Sequence, residues 1–152
     1  MRKKIILAFA VGGLIAGWAV ASDKADVMAV VNQWDDGFNT GDVKVAVVAC
    51  ADQTSIIDDF PPHEWHGTDG CAKWMNDAEA FFKKNEMTNV VSTLGKPRHV
   101  DVTGDRAYVV IPATLTYTEK GKPVTDKPAM VTLSLQKTAS GWRITGWSWA
   151  DG

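Results

Sequence analysis

Two hydrophobic rhythms divide this chain, a helical one before residue 90 and a strand-like one after it. Val27, Val30, Val31, Trp34 and Phe38 fall at i, i+3, i+4, i+7 and i+11, which lines one face of a helix of about four turns. Asn39-Thr40-Gly41 stops that helix, glycine being the usual residue past a C-terminus. Asp42 then suits the N-cap of a second, shorter helix running through Ala51, because its carboxylate can accept from the free amides of a first turn. Thr54 to Asp58 is a short β-rich run, and Phe60-Pro61-Pro62 breaks it, since proline cannot donate to a ladder and restricts its neighbour. A loop is expected through Gly67, after which Thr68 or Asp69 can cap a third helix. Its apolar face reads Cys71, Trp74, Met75, Ala78, Phe81 and Phe82.

From Val90 onward the period is two. Ala107, Val109, Ile111, Ala113, Leu115 and Tyr117 alternate with a set containing Thr114, Thr116 and Thr118, the pattern of a strand with one buried face. Glu119-Lys120-Gly121-Lys122 reads as a hairpin turn, Ala129 to Gln136 alternates again, and Ala139-Ser140-Gly141 makes the next turn before a closing strand from Trp142 to Ala150. Three helices followed by a twisted antiparallel sheet predict an α+β fold with helices covering one sheet face. Internal repeats, low-complexity segments and a second-domain linker are absent from the sequence.

The first residues change the picture of where this domain begins. Arg2, Lys3 and Lys4 precede a nearly uncharged run from Ile5 to Val20, and Ala19-Val20-Ala21 offers the small-x-small pattern of a signal peptidase site. The apolar run is short for a bilayer span, which needs about 20 residues, and no cysteine follows it that could carry a lipid. The expectation is a signal peptide over 1–21, cleaved after Ala21, and a single periplasmic or secreted domain over 22–152 with no membrane attachment. A net charge of −2 with both signs scattered gives no basic stripe, so nucleic acid is not an expected partner. Cys50 and Cys71 can form a disulfide in an oxidising compartment, or remain two buried thiols; Cys50 itself falls in a helical apolar run. Of seven tryptophans six fall after residue 21, enough to build either a thick core or a cavity wall.

Several short stretches carry a family resemblance through their joint order. They are Phe38-Asn39-Thr40-Gly41-Asp42, Ala51-Asp52 before Thr54-Ser55-Ile56-Ile57-Asp58, Trp65-His66-Gly67, Gly104-Asp105-Arg106-Ala107 and Gly141-Trp142-Arg143-Ile144. Over nearly the whole of 22–152 the chain resembles the nuclear transport factor 2-like superfamily, in particular its SnoaL-like and ketosteroid isomerase-like branch. The resemblance implies a cone-shaped, curved antiparallel (mixed) sheet wrapped around the long first helix and open at one end. It also implies a homodimer paired through the outer sheet face.

Within that frame Asp58 matches the position of the isomerases' catalytic base. A carboxylate set among aromatics is desolvated, which raises its pKa toward values useful for moving a proton; the alternative is an Asp that only hydrogen-bonds a turn before Pro61. The isomerases' oxyanion donors are not matched: Trp34 stands where they carry tyrosine, and Val131 or Thr132 where they carry a protonated aspartate. Steroid isomerisation is therefore not expected. His63, Glu64 and His66 lie in the expected loop; two histidines are too few for zinc, so no metal is expected, while His66 can assist Asp58 in proton transfer. Alternation places Trp147 and Trp149 on one strand face with Arg143 and Thr145, and Trp142 and Ile144 on the other. The expected pocket comprises Trp34, Phe38, Asp58, Phe60, Trp65, Trp74, Trp147 and Trp149, although aromatic residues suit core and subunit contacts equally. Phosphate loops, nucleophile elbows and Cys-x-x-Cys or His-Glu-x-x-His motifs are missing, so no cofactor is expected. The leading expectation is an exported pocket protein that binds a small, largely apolar ligand with little or no catalysis. The alternatives are an isomerase, cyclase or dehydratase using Asp58 as base, and a dimerising interaction module.

Overall fold

The structure, a computed structural model, describes the backbone of residues 13–152 and side chains from residue 21 onward. Met1–Gly12 of the expected export signal lie outside the described residues. The elements run α1 (Gly13–Thr40), α2 (Val43–Ala49), β1 (Cys50–Ile57), β2 (Glu64–Thr68), α3 (Gly70–Lys84), β3 (Met87–Leu94), β4 (His99–Thr103), β5 (Arg106–Glu119), β6 (Lys122–Thr125), β7 (Ala129–Thr138) and β8 (Gly141–Asp151). Among the described residues no helix is long and apolar enough to cross a membrane.

The α+β expectation holds, with three helices against one mixed, curved sheet of eight strands. Its order is β2-β1-β8-β7-β5-β3, with β4 and β6 also paired to β5. β1 and β8 run parallel, and every other pairing is antiparallel. The long β5 carries much of the curvature. On one side its first half meets β4 and its second half β3; on the other it meets β7 and then β6. α1 crosses the concave face against β8, β3 and β4, burying Val27, Val31 and Trp34 on the sheet's alternating Val109, Ile111, Val131 and Leu133. Gly37 lets α2 approach α1, since a Cβ there would overlap the backbone of Ala46.

Local chemistry explains most element boundaries. The Asp42 carboxylate accepts from Lys44 N at 3.0 Å and Val45 N at 3.2 Å, capping α2 as expected. That helix ends at Ala49 rather than Ala51, and Cys50 opens β1 instead of sitting in a helix. Cys50 and Cys71 are disulfide-bonded with Cα atoms 6.5 Å apart, tying the start of β1 to the first turn of α3. Asp69 takes the N-cap position of α3 without a side-chain cap hydrogen bond.

Two expectations are corrected by strand pairing. The segment through Gly67 is not a loop: the Asp58–His63 turn closes with Asp58 N donating to His63 O at 3.1 Å and His63 N to Phe60 O at 2.9 Å. β2 then pairs antiparallel with β1, Ile56 opposite Trp65. In β8 the two tryptophan faces merge. Leu135 faces Ile144, whereas Leu133 faces Trp147, so two steps on β7 match three on β8. One extra residue reverses the alternation from there on. Trp142, Ile144, Trp147 and Trp149 consequently share the concave face with Leu135, Leu133 and Val131. The parallel β1 passes close by, where a Cβ on Gly146 would overlap Ser55 O.

Candidate active and binding site

β1 delivers the central carboxylate by simple alternation. Thr54 and Ile56 point inward, Ser55 and Ile57 outward, and Asp58 continues the inward set one residue past the strand end. Its residue exposure is 7 %. Trp74, on the inner face of α3, donates its indole N–H to Asp58 Oδ2 at 2.8 Å, and Asp59 N donates to Oδ1 at 2.8 Å. The carboxyl is pushed up to about 7, chiefly by burial, with the Trp74 hydrogen bond opposing; the Asp59 side chain adds to the rise while its backbone N–H opposes it. A group so placed is half-ionised near neutrality, the condition that suits proton transfer in either direction.

Above Asp58 lies a cavity of about 250 Å³ between α1, α3 and the concave sheet face. Of the expected lining, Trp34, Phe38, Asp58, Phe60, Trp74 and Trp149 are on its wall. Trp65 and Trp147 are not. Trp65 packs behind Phe60, ring centroids 4.9 Å apart, and donates its N–H to Asp77 Oδ2 at 2.8 Å, pinning β2 to α3. Trp147 packs beneath Trp34 and Trp74 at 5.0 Å from each ring, backing the floor that those two form. His66 is corrected as well: it lies on the outer face of β2, exposed beside the Glu64 carboxylate at 3.2 Å, because alternation turns it away from the buried Trp65. His63 caps the turn, also exposed. No group of three metal-ligating side chains converges among the described residues.

Sequence reasoning missed most of the wall. Asp35 and Ser92 line it from α1 and β3, Phe81, Phe82 and Asn85 from the end of α3, and Leu115, Tyr117, Glu119 and Asp126 from the β5–β6 end of the sheet. Phe81 and Phe82 were legible in the helical face, and Leu115 and Tyr117 in the inward set of β5. Nothing local singles out Asp126, which follows β6 in a connecting segment.

Asn39 fixes the α1 side of the cavity. It accepts from Ser92 N at 2.7 Å, donates to Ser92 O at 2.9 Å and donates to Asp35 Oδ2 at 3.3 Å. Burial raises Asp35, with the neighbouring Ser92 and Asn39 opposing and Asp36 adding to the rise.

The structure thus joins an aromatic-walled cone and one buried carboxyl on an open α+β sheet. The chain belongs to the SnoaL-like domain family, whose sequence model matches residues 27–148. Solved structures with the NTF2-like fold superpose closely. An NTF2-like protein with a cystatin-like fold from Novosphingobium aromaticivorans shares 14 % identity at a TM-score of 0.77, over 93 % of this chain and 90 % of that one. A candidate aromatic ring hydroxylase from the same organism shares 15 % identity at 0.70, over 86 % and 90 %. A candidate dehydratase of the NTF2-like family from Streptomyces avermitilis shares 16 % at 0.70, over 88 % and 98 %. No curated protein matches the sequence.

Proposed function

We propose that this chain is an exported pocket protein that holds one small, largely apolar molecule in the cone, anchored by Asp58. The observation that carries this reading is the juxtaposition of a buried, near-neutral carboxyl with an aromatic cavity of about 250 Å³. Sites of this make-up, mostly apolar with a few placed polar groups, are the usual form of ligand pockets. The Cys50–Cys71 disulfide supports export, because such bonds persist in oxidising compartments. Native mass spectrometry of gently purified protein is the test: a small-molecule adduct that denaturation releases is expected. A Leu115→Trp variant, which fills the cavity, should lose it. A bare mass, with tryptophan fluorescence unmoved by an apolar panel such as indole and naphthalene, would remove the reading.

A second reading is favoured by the pKa of Asp58. A carboxyl near 7 suits a general base for abstraction of a proton α to a carbonyl, with the buried indole N–H of the wall residue Trp34, unpartnered among the described residues, as the candidate donor. The candidate dehydratase and hydroxylase among the fold relatives make such chemistry a natural alternative, although fold alone does not assign a reaction. Under this reading Asp58→Asn abolishes turnover of a substrate that still binds; under the first, the same change alters affinity only.

A further inference from the structure

The charge of the cavity is one-sided. Asp35, Asp58, Asp59, Glu119 and Asp126 all line it, and no Lys, Arg or His does so among the described residues. None of these five carboxylates takes part in an ion pair among the described residues. They also feel one another: besides burial, Asp151, Asp59 and Glu119 raise Asp126, while Asp126, Glu119 and Asp59 raise the Tyr117 phenol beyond the effect of its burial. A low-dielectric cleft lined by one sign of charge concentrates ions of the other sign.

An acidic lining alone does not define a site, but two consecutive residues of α1 add separate observations. Trp34 stands on the cavity wall, is 3 % exposed, and its indole N–H has no acceptor among the described residues. Asp35 also stands on the wall, and its buried Oδ1 has no donor among the described residues. Buried polar atoms ordinarily have partners. Here two consecutive residues of the wall leave one donor and one acceptor for a molecule that offers both an acceptor and a donor. The rings of Trp34, Trp74 and Trp149 complete the environment, since a cation is attracted to an aromatic face and most strongly to tryptophan.

We infer that the cone takes an organic cation: a small apolar amine whose protonated nitrogen is held by Asp35 and the acidic mouth, and which carries a hydrogen-bond acceptor for the Trp34 indole. This inference rests on the pocket reading above and narrows its ligand class. An ammonium group brings donors and charge together, whereas a neutral apolar molecule would leave Asp35 Oδ1 unmatched and an anion would meet five carboxylates.

The test is isothermal titration of the full protein with three molecules of matched shape: tyramine, the neutral alcohol tyrosol, and the anion 4-hydroxyphenylacetate. Tyramine should bind at least about tenfold more tightly than tyrosol, the scale of a charge-assisted hydrogen bond, and the anion should give no heat. Added salt should weaken tyramine and leave tyrosol unchanged. Asp35→Asn and, at the exposed mouth where folding is not at stake, Asp126→Asn should each erode the preference for tyramine. Equal binding of tyramine and tyrosol, or tighter binding of the alcohol or the acid, overturns the cation while leaving the pocket reading intact. Silence from all three also overturns the cation, and the pocket reading is then decided separately by the native mass spectrum and the apolar panel.

Discussion

At the closed end of the cone Trp34, Trp74 and Trp147 meet ring to ring, with centroids 5.0 to 6.0 Å apart, and every one of them is buried. At the mouth Asp59, Glu119 and Asp126 face the same cavity with no basic side chain among them, and Asp59 and Asp126 are exposed. The floor is a packing solution: large rings fill the taper where α1, α3 and β8 converge, and their burial favours folding. The mouth does nothing comparable for the fold, because like charges repel and exposed carboxylates contribute little burial. A feature that stability does not require is the better pointer to a ligand. Between the two ends, Asp58 belongs to both, hydrogen-bonded by the floor's Trp74 yet facing the cavity.

The contrast can be broken first at the floor. Trp147→Ala should destabilise the protein by about 3–5 kcal/mol, read as a large fall in denaturation midpoint; a loss below 1 kcal/mol would mean that the rings are not packed as described. The next effect is pH dependence. Asp58 binds its proton more tightly in the fold, where its pKa is about 7, than in the unfolded chain, where it is near 3.8. Stability therefore falls as pH rises from about 4 to about 7 and levels off above, by up to about 4 kcal/mol if this group dominates. Asp58→Asn should flatten that slope in denaturant titrations and leave the variant the more stable of the two at pH 8. Removing the disulfide by Cys50→Ala with Cys71→Ala should cost roughly 3 kcal/mol, measured as a lower melting temperature without loss of the far-ultraviolet helix signal. Smallest of all is the mouth: Asp126→Asn should shift stability by no more than about 0.5 kcal/mol while changing which ligands bind. A destabilisation as large as that of Trp147→Ala would erase the distinction between the two ends.

Much of this protein was legible from spacing. The helical faces of α1 and α3, the Asp42 cap, the hairpin turns and the alternation of β5 and β7 follow from periods of 3.6 and 2. The inward direction of Asp58 follows too, since it continues the Thr54–Ile56 set. Other features resisted for identifiable reasons. β2 is five residues long and mostly exposed, so it owes its existence to pairing with β1 and has no hydrophobic pattern of its own. That pairing also turned His66 outward, away from any part in proton transfer.

Local chemistry along the chain thus decided most of the helices and strands, which of their faces are apolar, and that one carboxylate would be drawn inward, because these depend on neighbours a few residues apart. Tertiary structure alone decided the rest. A single extra residue in β8 brought Trp147 and Trp149 onto the face of Trp142 and Ile144, a change invisible to alternation because it is defined only against the partner strand β7. The acidic mouth likewise exists only in space: Asp35, Asp59, Glu119 and Asp126 come from four separate segments, and their common field arises when the sheet curves them around one cavity.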